Sequence, residues 1–107
     1  MQTEKAVYPV GTETITVQLT NENPKGLFFG EDYWIVRKEG QQWIYLHDND
    51  SWTDIGYGLE KGHTRTFTAR LRPLVNDNRP GTYRVIKEIG FFDSRQDWYM
   101  AAEFRIE

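Results

Sequence analysis

Apolar and polar side chains alternate through most of this chain, and the alternation has the period of two that a β-strand imposes by pointing successive side chains to opposite faces. In TITVQLT, Ile15, Val17 and Leu19 share one face while Thr14, Thr16, Gln18 and Thr20 share the other. Asn21 to Gly26 breaks the pattern with Asn, Pro and Gly. FGEDYWIVRK and QQWIYL, rich in aromatic and β-branched residues and separated by Glu39-Gly40, predict a hairpin of Asp32–Lys38 with Gln42–His47. HDNDSWTDIGYGLEKG is turn-rich, with one short strand expected near Asp54–Tyr57.

HTRTFTARL resumes the alternation with Phe67, Ala69 and Leu71 on one face, and Pro73 with Asn76-Asp77-Asn78 marks the next crossing. PGTYRVIKEI predicts a strand that begins just after a Pro-Gly turn, Gly90–Asp97 a loop, and DWYMAAEFRIE a last strand with Met100, Ala102, Phe104 and Ile106 on one side. With an initial strand near Lys5–Val7, the count is about seven short strands, with no helix and no repeat. That pattern predicts an all-β, two-sheet antiparallel sandwich, a small barrel being the alternative.

The PGTYRV segment sharpens this expectation. In immunoglobulin-like sandwiches a tyrosine near the start of strand F folds back at a corner, and a core residue follows two positions later. Tyr83 and Val85 have that spacing, with Val85 where a disulfide cysteine stands in antibody domains. If both point inward, so does Lys87, where an apolar residue is expected. Its stem can lie on apolar groups while the ammonium reaches the rim at the strand end. Pairing with Glu31 or Glu103 is the other reading.

Composition narrows the class. A length of 107 residues suits one domain, residues 1–107, and aromatics at 15% supply bulky groups that argue against disorder. A net charge of −3 provides no broad basic field, so nucleic acid and anionic membranes are excluded as expected partners. No cysteine is present, which removes disulfides, thiolate nucleophiles and cysteine-based zinc sites. No apolar run approaches the roughly 20 residues of a membrane helix, so membrane insertion by this chain is not expected. The N-terminus lacks the basic-then-apolar order of a secretory signal: either the protein stays inside or a leader has been cut away.

Taken in order, ITVQLTNEN, the FGEDY aromatic strand, QQWIYL, DIGYGLEKG leading into TRTFTARL, PGTYRVIKEI and YMAAEFRIE resemble the bacterial immunoglobulin-like domains of secreted, lipid-anchored and surface proteins, over about residues 7 to 107. The resemblance implies an immunoglobulin-like sandwich without a disulfide that spaces, presents or binds. It implies an extracytoplasmic or envelope location and no catalytic residues; a monomer with a protein or glycan ligand and no cofactor is expected.

The residues themselves offer little chemistry. His47 and His63 lie in turn-like settings away from any nucleophile elbow. Asp48, Asp50 and Asp54 crowd one loop beside His47, but a calcium loop fails there: Trp52 takes a ligand position, Thr53 the place of the turn glycine and Leu59 that of the bidentate Glu. Glu31, Glu88 and Glu103 could approach one another if their strands are neighbours, yet a flat sheet face has no cleft for glycoside hydrolysis.

Recognition is the better prospect. Trp34 and Trp43 are expected in the core, Trp34 where such sandwiches place a core tryptophan. Trp52 and Trp98, at loop margins, are the expected exposed anchors together with Phe91 and Phe92. On the outward parity of the last two strands, Arg84, Ile86 and Tyr99 form a candidate partner face within a ladder that includes Glu88, Glu103 and Arg105. The expected function is a non-enzymatic spacer or binding module of an envelope protein. The alternatives are an inhibitor that uses end loops such as NENPKG, loosely similar to an Asn-Pro loop of small bacterial peptidase inhibitors, or a carbohydrate-binding module built on the tryptophans.

Overall fold

Alternation becomes layering in the computed structural model, which describes residues 1–46, 56–91 and 96–107. The smaller layer pairs Gln2–Thr3 (β1), Thr14–Thr20 (β3) and Thr64–Arg70 (β8) in the order β1-β3-β8. The larger is centred on Gly81–Phe91 (β9), which is antiparallel along its length to Asp97–Ile106 (β10). On its other side β9 takes two partners in succession, Trp34–Glu39 (β5) at residues 83–86 and Leu27–Phe29 (β4) at residues 90–91. Gln42–Tyr45 (β6) extends β5, Tyr57–Leu59 (β7) extends β4, and Val7–Tyr8 (β2) runs parallel on β10. The single helical turn among the described residues, Pro73–Asn76 (α1), stands between β8 and β9.

The faces follow the expected parity in β3, β8, β9 and β10. Val17, Leu19, Tyr83, Val85 and Ile106 are each 0% exposed. Burying a side chain of this size contributes about 1.5–3 kcal/mol. One core cluster is built on Val17, Ile35, Tyr83, Val85 and Phe104, a second on Leu19, Leu27, Phe29, Leu59 and Ile89. Along β9 the two meet at Lys87, between Val85 of the first and Ile89 of the second.

Polar groups that enter this interior find partners. The Tyr83 hydroxyl donates to the Arg79 carbonyl at 2.6 Å, folding the chain back at the β9 corner, and its ring stacks on Phe104 at 5.5 Å. Tyr33 and Tyr8 accept from the backbone N–H groups of Arg70 and Lys5 at 2.8 and 3.0 Å. Asn21, 1% exposed, anchors the NENPKG turn from inside. Its side-chain amide donates to the carbonyls of Lys25 and Leu59, each at 2.9 Å, and its side-chain oxygen accepts from the Asn23 N–H.

Several boundaries differ from expectation. The early strand is two short pieces, β1 and β2, one in each layer. Leu27–Phe29 forms a strand of its own, Gly90 and Phe91 extend β9 into the expected loop, and the strand expected at Asp54–Tyr57 is found at Tyr57–Leu59. Pro73 opens a turn of helix, suited to its fixed φ and missing N–H.

The most consequential difference lies between β4 and β5. Phe28 pairs with Gly90 and Trp34 with Ile86, so six residues advance on one side against four on the other. The two extra residues lie within residues 30–33, and because their number is even the alternation carries through: Phe28 and Trp34 stay on one face, opposite Gly90 and Ile86. Tyr33 and Ile35 turn inward, at 6% and 2% exposed. Trp34 turns outward.

Candidate functional site

Register builds the outer face of the larger layer row by row. Tyr45, Val36, Arg84 and Glu103 lie side by side across β6, β5, β9 and β10; Trp34, Ile86 and Ala101 make the next row, and Glu88 with Tyr99 the one after. Trp34, Tyr45, Leu46, Ile86 and Tyr99 line an open depression of about 660 Å³. Tyr45 is 70% and Tyr99 65% exposed, and the Trp34 and Tyr99 ring centres are 6.4 Å apart, tilted by 56°. Ile86 and Tyr99, expected on a partner face, are thus joined by three apolar side chains that were not assigned to it.

Trp34 is therefore not a core tryptophan. It has the parity of the exposed Phe28 rather than that of the buried Phe29, Tyr33 and Ile35, and it stands opposite the outward Ile86. Trp43 is half-buried on the same outer side, where the Arg84 guanidinium stacks over its ring at 4.1 Å. Arg84 is drawn along the sheet rather than out to solvent: its Nε donates to Glu103 at 3.1 Å.

The expected anchors Trp52 and Phe92 lie outside the described residues, as do His47, Asp48, Asp50 and Asp54. Phe91 and Trp98 meet at a second place, a cleft of about 560 Å³ where the start of β10 passes the β1 edge. Gln2, Gln18, Asn23 and Tyr99 share its wall. Trp98 is 46% exposed there. Tyr99 borders both cavities.

Lys87 does not reach the rim. The residue is 1% exposed, and its Nζ donates to the Asp32 carbonyl at 2.9 Å between the rings of Phe67 at 4.6 Å and Phe29 at 5.3 Å. Burial pulls the ammonium down to about 8, against the opposing pull of Asp32 and Glu31. The break between β4 and β5 allows the arrangement, since Asp32 belongs to neither ladder on β9 and its carbonyl is available to the Lys87 ammonium.

The carboxylates Glu31, Glu88 and Glu103 are not assembled into one site. Glu31 accepts from the Tyr57 hydroxyl at 3.2 Å, Glu103 is paired with Arg84, and Glu88 shares a hydrogen bond with Asp97. Partial burial, then Asp97, then Asp32 push the Glu88 carboxyl above its usual range. Among the described residues, no group of three or more His, Asp or Glu side chains is arranged to hold a metal ion. No helix among them is long and apolar enough to cross a membrane.

Sequence reasoning missed Tyr45, Leu46 and Asp97 as neighbours of the partner face. A period-two pattern marks which residues share a strand face, but not which strands adjoin. The signal available was Tyr45 on the parity of Trp43 in QQWIYL.

Comparison with known proteins accords with this architecture. A family model described as bacterial Ig-like domain matches residues 1–105. No curated protein matches the sequence. Among solved structures, the chaperone–tip adhesion subunit pre-assembly complex CsuC-CsuE, from archaic chaperone-usher Csu pili of Acinetobacter baumannii, contains a chain similar in fold, at a TM-score of 0.51 and 12% identity. The match covers 94% of this chain and 50% of that one, so the present chain spans about half the length of the solved relative. At that identity the likeness is one of fold alone.

Proposed function

The chain belongs to the bacterial Ig-like domain family, and we propose that residues 1–107 are one such domain, acting as a non-catalytic binding module of an envelope protein outside the cytoplasm and meeting a protein partner through the outer face of its larger layer. The observation that carries this reading is the depression lined by Trp34, Tyr45, Leu46, Ile86 and Tyr99. Apolar rings on the outer face of a sheet gain nothing from the core, and exposed apolar groups that are contiguous are the surfaces partners use. The rest of the fold supports a presenting role, because tyrosine and asparagine anchors hold the loops from within.

Co-sedimentation with the envelope fraction of a bacterium that encodes the chain tests this reading. Saturable retention is expected, falling about tenfold when Tyr45 and Tyr99 are both replaced by Ser. Absence of retention, or equal retention of the variant, would overturn it.

A second reading rests on the smaller cleft. Phe91 and Trp98 offer rings, and Gln2, Gln18 and Asn23 offer amides, a combination that suits a neutral, hydroxyl-rich sugar. Glycan binding abolished by Trp98→Ala, with envelope retention unchanged by Tyr45→Ser/Tyr99→Ser, would favour this cleft over the sheet face.

A further inference from the structure

Charge is distributed unevenly around the outer face. At one end the basic groups are already engaged: Arg84 is paired with Glu103 and stacked on Trp43, and Arg105 donates to Glu107 and Thr82. At the other end, beside the aromatic depression, Glu88 is the cross-strand neighbour of Tyr99 and hydrogen-bonds Asp97. Asp32 adds its charge to the same corner. Lys87 lies beneath, held by the Asp32 carbonyl on the inner side of the sheet. Among the described residues, no basic side chain forms an ion pair with Glu88 or Asp97.

The depression therefore joins an aromatic floor to a negative margin. Two carboxyls this close share a proton because both ionised would repel, and a cation set between them lets both ionise; the ring of Tyr99 presents a π-face that also attracts cations. A neutral sugar would leave the carboxyl repulsion uncompensated, and an acidic segment would add to it. A lysine or arginine side chain satisfies both parts, since its methylene stem can lie on Trp34 and Ile86 while its head meets Glu88 and Asp97.

We propose that the partner engages this face with a basic side chain on an apolar-flanked segment, the head held by Glu88 and Asp97 and the stem by Trp34, Ile86 and Tyr99. The proposal rests on the binding-module reading and names the partner's chemistry at that same face. Ion pairs desolvated against aromatic rings discriminate more strongly than rim charges, so the basic residue sets specificity rather than adding general attraction.

Capped pentapeptides of sequence Gly-Leu-Xaa-Leu-Gly, with Xaa as Lys, Arg, norleucine or Glu, test it in NMR titrations of the isotope-labelled chain. The Lys and Arg peptides are expected to shift the Trp34 indole N–H and the Tyr99 and Glu88 amides saturably. The norleucine peptide binds about tenfold more weakly, and the Glu peptide does not bind. Glu88→Gln/Asp97→Asn, both at outward positions and checked for an unchanged fold by amide spectra, removes the preference of Lys over norleucine.

Equal binding of the Lys and norleucine peptides, preference retained in the double variant, or no shift at these resonances would overturn the proposal. If envelope retention still depends on Tyr45 and Tyr99 in that event, only the basic chemistry is refuted and the binding face stands. If both fail, both are wrong.

Discussion

The ammonium of Lys87 lies 4.6 Å from the centre of the Phe67 ring, although the two residues belong to opposite layers of the sandwich. Lys87 comes from the central strand of the larger layer and Phe67 from β8 of the smaller. A cation thus occupies the seam between two apolar clusters, held by one carbonyl and two ring faces. Such a site costs stability while the group is charged, because the interior replaces only part of its hydration.

The sign of the resulting pH dependence follows from the shift. Folded Lys87 titrates near 8 rather than at the ordinary 10.5, so between those values the unfolded chain holds more protons than the folded one. This group's contribution to stability is therefore expected to rise from pH 8 to 10.5 and to be flat below 8. Urea unfolding of the wild type and Lys87→Met across that range checks it. The variant should be at least as stable at neutral pH, and its advantage should shrink as the pH rises.

Tyr83 separates the corner hydrogen bond from the packing of its ring. Tyr83→Phe keeps the stack on Phe104 and loses the bond to Arg79, at an expected cost of about 1 kcal/mol. Tyr83→Ala loses both and should cost about 3–5 kcal/mol. Denaturant midpoints at constant slope measure the pair.

Asn21 should behave as part of the fold. Asn21→Ala leaves the Lys25 and Leu59 carbonyls without their side-chain donor and is expected to cost about 1–3 kcal/mol. Hydrogen exchange should quicken at Asn23, whose amide loses its acceptor.

Glu88 should show opposite effects on stability and binding. Its carboxyl is pushed up by burial and by Asp97, so the stability it supports below the ordinary carboxylate range is lost as pH rises through its folded value. Glu88→Gln is therefore expected to unfold no more easily than the wild type at neutral pH while binding the lysine peptide more weakly. Thermal melts and the peptide titration, run on the same sample, check both signs.

Much of the fold was legible because regular strands announce their faces. Val17, Tyr83, Val85 and Phe104 are buried as their alternation implies, and the Pro-Gly turn before Tyr83 marks the corner. The candidate face was legible only in part. Ile86 and Tyr99 lie on strands whose alternation is plain, whereas YWIV is apolar at four successive positions, so nothing in that run says that Tyr33 and Ile35 face inward and Trp34 outward. Lys87 was placed on the correct side but given the wrong end point, because the sequence shows the parity of a lysine and not the carbonyl and rings that await it.

The most direct test of a recognition surface on the larger layer is photo-crosslinking in living cells of a bacterium that encodes this chain. A photoreactive amino acid would replace Tyr45, Tyr99 or, as a control on the smaller layer, the exposed Thr66. A recognition surface on that layer predicts a discrete cross-linked protein from positions 45 and 99 and none from 66. Equal cross-linking at all three positions, or a product only from position 66, would contradict it.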